Sequence, residues 1–382
     1  MIRVGLNAQL LSLDPSYRSA GISGYIYNLL RHLPPVDGRY QFVAFTGERR
    51  WCPLPGVEAV QTLWPTSRPV GRILWEQVAQ PFSLAKHRVD LFHALAYVSP
   101  VVWAGPSVVT ILDLSFILFP ERFRLLNRIY LKYFTRWSAR RASHIIAISN
   151  NTKADAIRLL GLDASKVTVV YCGVDAAIRP VDAGALTAFR AAKNLPERFI
   201  LFLGTLEPRK NIINLIQAYD LLRRDWPGDS SRLPTLVIAG AKGWYYQEIF
   251  REIEKSHLTR EVQFAGYVPA EELAYWYSAA SMFVYPSLYE GFGLPVLEAM
   301  ACGTPVIASN RSSLPEVVGE AGLLIDPLNP EDIALAMRRL LLEDGLSEVL
   351  STLGKTRSAN FTWERTARQT IAVYDHVMGQ EA

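Results

Sequence analysis

The sequence predicts two consecutive doubly wound α/β domains, each a Rossmann-like parallel sheet covered by helices and facing one central cleft. Three observations lead there. Apolar runs of strand length alternate with amphipathic helical stretches along most of the 382 residues. The alternation lapses once, across 179–198, and then restarts. Half of the residues are apolar, enough to fill two cores at about 100–200 residues per domain. Strands separated by helices imply βαβ crossovers and a sheet buried on both faces.

The first half opens with a strand at 2–6. A Gly/Ser loop at 19–24 leads into a helix at 25–33, whose apolar residues recur at helical spacing. A strand follows at 41–46. A less regular stretch contains a helical segment near 74–86. Apolar runs at 89–94 and 108–112 have strand length, 124–141 has helical period, and a strand, helix and strand follow at 144–149, 151–160 and 166–171. Residues 179–198 hold two prolines, several alanines and no strand run, which places the domain boundary there. The second half alternates again: strands at 199–204, 236–240, 262–265, 282–286, 305–309 and 322–325, with helices at 211–222, 245–255, 270–280, 294–301, 331–342 and 364–378. The plan is a first domain over 1–180, a second over 195–360, and a closing helix in 361–382 that packs back on the first.

Composition narrows the function. No apolar run reaches the ~18 residues that span a bilayer. The first residues form a strand without a basic, apolar and small-residue leader, so a cytosolic protein is expected. Cys52, Cys172 and Cys302 are odd in number and far apart, which argues against disulfides and a CxxC zinc site, and the six His form no HxxxH or HExxH pair. The net charge of +4 divides into +10 over residues 1–180 and −6 over 181–382. A basic half suits an anionic partner: a phosphorylated substrate, an anionic membrane surface or nucleic acid. A chance split over two solvated surfaces gives the same numbers.

Three strand-to-helix loops stand out, because ligands of open parallel sheets bind beyond the carboxyl ends of the strands. In the stretch from Tyr285 to Pro305, Gly291 and Gly293 permit close approach, Pro295 suits a first helical turn, and Gly303 ends the helix. Its helix start offers free N–H groups to an anion, while Glu290 and Glu298 suit sugar hydroxyls better than phosphates. A solvated Glu290 and an outward-facing Glu298 satisfy the same pattern. The second loop, Gly204-Thr205-Leu206-Glu207-Pro208-Arg209-Lys210-Asn211, places a planar cationic fork beside a point charge, a pairing suited to a diphosphate, although such pairs also occur as plain surface. The third, Gly21 to Gly24, resembles a phosphate-binding turn without being GxGxxG. Strand-end residues Asp113 and His93, and Ser149 beside Asn150, are candidates to face the same cleft. No Walker motif, GxSxG elbow or DxD pair is present.

With these residues in place, the chain resembles the retaining glycosyltransferases of family four, which have the GT-B fold. The resemblance spans nearly the whole length. It rests on the E-x7-E stretch in EGFGLPVLEAMACGTPVIAS, on GTLEPRKN at 204–211, GYVPAEEL at 266–273 and SSLPEVVGEAG at 312–322, and on IIAISNNTKADAI at 145–157 and YCGVD at 171–175. It implies that Glu298 binds the ribose hydroxyls of a nucleotide, and that Glu290 with the backbone of Gly291, Phe292, Gly293 and Leu294 holds the donor sugar. Arg209 and Lys210 neutralise the diphosphate beside Gly204 and Thr205. The loop around Gly24 closes over the donor phosphates, Ser149 lies on the donor side, Tyr267 flanks the base, and Asp113 and His93 lie toward the acceptor. The sequence departs from the family in Leu112-Asp113, where His-Asp is common, and in Cys172-Gly173-Val174-Asp175, where Asn-Gly-Val-Asp is common.

The resemblance to the mannosyltransferase-like branch implies GDP-mannose as donor, a saccharide or lipid-linked acceptor, polysaccharide biosynthesis, and retention by a front-face path with no cofactor or metal. Double displacement through Glu290 is the alternative path. The rival readings are a UDP-sugar transferase, a sugar-nucleotide epimerase or phosphorylase, and a non-enzymatic nucleotide-sugar binder; a nucleic-acid partner is not expected. Along 124–141 the basic residues Arg124, Arg128, Lys132, Arg136 and Arg140 recur every four positions. That row fits peripheral contact with the inner face of a membrane, or simply a solvated helix face.

Overall fold

The structure, a computed structural model, describes residues 1–14, 21–52, 54–66, 68–120, 125–229, 233–243 and 245–380, with the backbone alone for 125–127. Residues 19 and 20 of the Gly/Ser loop and Arg124 lie outside the described residues. The chain divides into two compact units, Met1–Gly173 with Thr362–Ala382, and Val174–Phe361.

The first unit holds a seven-stranded sheet of β1 (Ile2–Asn7), β2 (Tyr40–Thr46), β3 (Val57–Gln61), β4 (Leu91–Ala94), β5 (Ser107–Ile111), β6 (His144–Ala147) and β7 (Val167–Val169), in the order β3-β2-β1-β4-β5-β6-β7. The second holds six strands, β8 (Phe199–Leu203), β9 (Thr235–Ala239), β10 (Val262–Gly266), β11 (Met282–Tyr285), β12 (Val306–Ser309) and β13 (Leu323–Ile325), in the order β10-β9-β8-β11-β12-β13. Every pairing is parallel. The strand order reverses between β1 and β4 in the first sheet and between β8 and β11 in the second. These switch points are where adjacent loops diverge and leave a crevice.

Central strands are apolar on both faces, because helices cover both sides of the sheet. Phe199–Phe202 of β8 and Phe283–Tyr285 of β11 have no exposed surface. The helix Ile212–Arg224 packs on Pro330–Leu342 over one face. In the first unit, the last helix, Trp363–Met378, lies on the N-terminal sheet. Tyr374 is fully buried against the rings of Tyr40 and His93, and the Tyr40 hydroxyl donates to Asp375 at 2.6 Å. Gly173 is where the chain leaves this unit. A Cβ there would lie 2.2 Å from the Trp363 nitrogen, so only glycine fits.

The structure differs from the sequence reading in several elements. β3 lies in the stretch read as irregular; it is an edge strand of sequence VEAVQ, half polar because only one side is covered by a neighbour. The 179–198 segment contains a helix, Ala183–Lys193, capped by the Asp182 side chain. Leu186 is buried and Phe189 packs on Tyr275 and Trp276, so the segment belongs to the second unit, which begins at Val174. Leu346–Ser358 is a further helix. Gly24 is not in a loop, because the first helix starts earlier, at Ile22–His32, with Gly21 at its N-cap in a left-handed conformation (φ +56°).

Candidate active site

Three neighbouring strands of the second unit end on glycine. Gly204 follows β8, Gly240 follows β9 and Gly266 ends β10. The Gly204 N–H donates to the Ala239 carbonyl at 3.0 Å and the Gly240 N–H to the Gly266 carbonyl at 2.6 Å. A Cβ on Gly240 would lie 1.9 Å from the Gly204 oxygen, and its φ of +139° also requires glycine. The result is a bare backbone shelf along the carboxyl edge of β8, β9 and β10. The sequence reading ended a strand at Gly240 and gave it no role in the site. Its signal, a glycine directly after an apolar strand, was there, but the contact that makes it obligatory is between strands.

The two conspicuous loops of this unit leave β8 and β11, the strands on either side of the switch point. After β8, Pro208–Lys210 forms a single 3₁₀ turn, and Asn211 (φ +58°) turns the chain into the helix Ile212–Arg224. The Asn211 amide is buried and donates to the Pro327 carbonyl at 2.5 Å, which anchors the turn. After β11, the Leu288 N–H donates to the Arg209 carbonyl at 2.9 Å, which joins the two loops. Arg209, Lys210 and Glu290, some 80 positions apart in sequence, thereby converge.

Glu290 is the hub. Lys210 Nζ donates to its Oε1 at 2.6 Å and Arg209 Nη1 to its Oε2 at 3.1 Å. The Ser287 hydroxyl donates to Oε1 at 2.6 Å. Arg209 also donates to the Tyr289 carbonyl at 2.6 Å and, through Nε and Nη2, to Glu207 at 3.0 and 2.8 Å. Lys210 is buried, its ammonium 4.9 Å from the centre of the Tyr285 ring and bonded to the Tyr285 hydroxyl. Burial would push the Glu290 carboxyl up, but the charges of Arg209 and Lys210 and its hydrogen bonds outweigh that and hold it at about 2. The backbone of Glu290 is fixed by two hydroxyls. Ser312 accepts from its N–H at 3.0 Å, and Ser313 reaches its carbonyl at 3.0 Å and that of Phe292 at 2.7 Å. Ser287, Ser313 and Tyr285 received no role from sequence; hydroxyls show no periodicity that separates a site from a surface.

Glu298 lies on the helix Leu294–Ala301, half-buried, and accepts from the Tyr277 hydroxyl at 2.9 Å. Burial raises its carboxyl to about 7; the Tyr277 bond works against that and nearby Asp175 adds to it. Gly293 begins the helix at φ +111°, and a Cβ there would lie 2.6 Å from a Leu314 methyl. Phe292, beside Gly291, packs edge-on against Phe361, and Leu294 is the first helical residue. Thr205 is half-buried beside Gly204, and Tyr267, just past β10, is about a third exposed (37%). All of these donor-side residues belong to the second unit.

In the first unit the structure redistributes the candidates. His93 is fully buried, with Nδ1 2.6 Å from the Tyr374 hydroxyl and Nε2 2.8 Å from Thr110 Oγ1. Burial pushes its pKa down to about 3, so it is a neutral core histidine with both nitrogens taken and is removed from the acceptor side. Ser149 is also fully buried. Its oxygen caps the helix Asn150–Leu160 by accepting from the Thr152 N–H at 2.9 Å, a structural use of the residue. Gly24 sits in a first helical turn, and its carbonyl accepts from the Asn28 amide at 3.0 Å. Asp113 stays half-exposed after β5, with Oδ1 accepting from the Ser115 N–H and hydroxyl at 3.0 and 2.9 Å. Among the described residues, no group of three or more His, Cys, Asp or Glu is placed to hold a metal ion.

Two family models and several known proteins match this chain. The family described as Glycosyl transferases group 1 matches residues 187–357, and Glycosyltransferase Family 4 matches residues 19–178. The chain is 32% identical over 377 residues to O-antigen chain mannosyltransferase B of Escherichia coli, covering 94% of this chain and 96% of that one. Other mannosyltransferases it matches are longer, and it spans 29% of the length of one of them. Among solved structures, sucrose-phosphate synthase from Thermosynechococcus elongatus superposes with a TM-score of 0.81 at 24% identity, over 100% of both chains. Anabaena HepE, solved with UDP and glucose, superposes with a TM-score of 0.74 at 20% identity, over 98% of this chain and 99% of that one. These two are likenesses of fold.

Proposed function

From the premise that this chain belongs to the group 1, family four glycosyltransferases with the GT-B fold, we propose that it transfers mannose from GDP-mannose to a saccharide or lipid-linked saccharide, with retention and without a metal ion. The observation that carries the chemistry is the convergence of two cations on Glu290 at the switch point of the second sheet. A diphosphate arriving there offers phosphoryl oxygens in place of carboxylate oxygens. Arg209 binds them as a planar fork and Lys210 as a point charge. As the bond from sugar to phosphate lengthens, negative charge grows on the leaving diphosphate, and these fixed cations stabilise it most at the transition state. Glu290, released from part of its cation contact, accepts hydrogen bonds from the sugar hydroxyls. Glu298 accepts from the ribose. The acceptor oxygen attacks on the face the diphosphate leaves, and its proton passes to the departing phosphoryl oxygen. Asp113 is assigned to the acceptor by the family resemblance alone. The choice of mannose and GDP follows the similarity to O-antigen chain mannosyltransferase B.

The test is a thermal-shift series with GDP, UDP, ADP and their sugars, followed by transfer assays with the stabilising donor. GDP and GDP-mannose are expected to raise the melting temperature selectively; selective stabilisation by UDP would replace the donor assignment. Arg209→Ala and Lys210→Ala are each expected to lower single-turnover transfer by about 10²–10³. Rates within a few-fold of wild type would overturn the diphosphate role, and a full, magnesium-reversible loss of transfer in chelator would overturn the metal-free reading.

A further inference from the structure

The helix Pro330–Leu342 of the second unit has two unlike faces. Ile333, Ala336, Met337 and Leu340 are buried, and the helix packs on Ile212–Arg224. Glu331, Leu335, Arg338, Arg339 and Leu342 are exposed. At about 100° per residue these five lie within about 100° of one another, so they share one side of the helix. Leu335 and Leu342 are 57 and 44% exposed, and Leu328, just ahead of the helix, is 54% exposed.

The order of these residues is a palindrome with the charges inverted. Leu335 stands at its centre. Glu331 and Asp332 precede it by four and three positions, and Arg338 and Arg339 follow it by three and four. Leu328 and Leu342 stand seven positions to either side. A two-fold rotation beside Leu335 lays a second helix antiparallel to the first. It sets Leu335 against itself, Leu328 against Leu342, and the acids of each copy against the arginines of the other. At 1.5 Å per residue the acids and the arginines lie about 5 Å along the axis on either side of Leu335, so both sets of ion pairs form in one contact.

The face is held ready for such a contact. The Asn329 side chain caps the helix, accepting from the Glu331 and Asp332 N–H groups at 3.0 and 3.3 Å. The Pro327 carbonyl accepts from the Asn211 and Asn214 amides at 2.5 and 2.9 Å, which fixes the turn carrying Leu328. We infer that this face joins two copies of the chain in an antiparallel, two-fold contact. An anionic membrane is the poorer occupant, because exposed Glu331, Glu343 and Asp344 would face its headgroups. An unrelated partner would not require the inverted symmetry. One helix pair buries less than a standard interface of about 1,600 Å², so the dimer is a weak one. The inference does not depend on which sugar is transferred.

The test is sedimentation velocity of the full chain from about 1 to about 100 µM, the range in which a weak contact is read. The sedimentation coefficient is expected to rise from that of a monomer to that of a dimer and no further, because a two-fold contact closes on itself. Leu335→Glu sets two carboxylates together at the axis and should weaken the dimer about 100-fold. Asp332 already accepts from the Asp326 N–H at 2.7 Å, and Arg339 donates to Glu343 at 2.6 and 3.1 Å, so Glu331 and Arg338 are the charges to change. Glu331→Lys and Arg338→Glu should each weaken the dimer about tenfold, since like charges then face each other twice. An equal mixture of these two variant chains should regain the wild-type affinity to within a few-fold, because opposite charges meet again across the contact. All three positions are exposed, so melting temperature and transfer to a soluble acceptor by the dilute protein should stay as in wild type. A chain that remains monomeric throughout that range overturns the inference, whether or not it sediments with anionic vesicles. So do assemblies larger than a dimer, a dimer indifferent to Leu335→Glu, or a mixture of the two charge variants that stays as weak as either alone.

Discussion

Two carboxylates eight positions apart behave in opposite ways. Glu290 is held at about 2, its burial outweighed by Arg209 and Lys210, while Glu298, with a tyrosine hydroxyl and no adjacent cation, is raised to about 7. Their contributions to stability have opposite signs. A carboxyl whose folded pKa lies below its unfolded value stabilises the fold above that unfolded value, near 4.5, and loses this as the pH falls toward 2. A carboxyl raised to about 7 contributes below 4.5 and loses its contribution as the pH rises through 7. Glu298→Gln is therefore expected to raise the melting temperature of the ligand-free protein at pH 8 but not at pH 4, and to weaken nucleoside diphosphate binding by about 10–100-fold, the loss of a hydrogen bond to a charged acceptor. Glu290→Gln should do the reverse. It strands the buried Lys210 ammonium, at a cost of about 3–5 kcal/mol, while the bare diphosphate, which replaces the missing charge, still binds. Calorimetry and melting curves on both variants check this; equal losses of affinity would contradict the division of roles.

At the scale of elements, the site is made by the crossover that sets β8 beside β11. Residues near 209 and residues near 290 meet because sheet order, unlike sequence order, makes their strands neighbours. The motif at 285–305 was legible as a strand, a tight loop and a helix, and the helix Leu294–Ala301 has the expected bounds. The Arg209–Glu290 contact was not legible, since no local period encodes it. The glycine shelf follows the same rule. Gly240→Ala is expected to cost about 3 kcal/mol, from a Cβ forced against the Gly204 carbonyl and a left-handed backbone. Chemical denaturation reads that loss; a variant as stable as wild type would show that the strand ends separate freely.

At the scale of the whole molecule, the chain builds one unit from two distant pieces and the other from a single span. Helix Trp363–Met378 supplies Tyr374, the ring against His93 and Tyr40, to a sheet whose last strand ended near residue 169. Removing that helix would uncover the rings of Tyr40 and His93 and leave the His93 Nδ1 without its tyrosine partner. The fragment 174–361 is expected to fold alone, with a cooperative thermal transition, and to bind a nucleoside diphosphate. The fragment 1–173 is expected to lack such a transition until a peptide covering 362–380 is supplied. Circular dichroism melting of the two fragments checks this, and a stable 1–173 alone would contradict it.

The sequence by itself determined the fold class, the family and the presence of chemistry on the strand-to-helix loops. Strand length, helical period, glycine and proline punctuation and loop motifs are local properties, written over a few residues each. It also placed Arg209, Lys210, Glu290 and Glu298 among the candidates, because unusual charges beside glycines and helix starts are visible in one dimension. Tertiary structure alone decided the rest. It turned His93 and Ser149 inward, put Gly24 inside a helix, made 183–193 a helix by burying Leu186 and packing Phe189 on Tyr275 and Trp276, and joined two cations to one carboxylate. Burial and partner choice depend on which elements pack together, and residues tens of positions apart settle that through sheet order, beyond the reach of any local pattern.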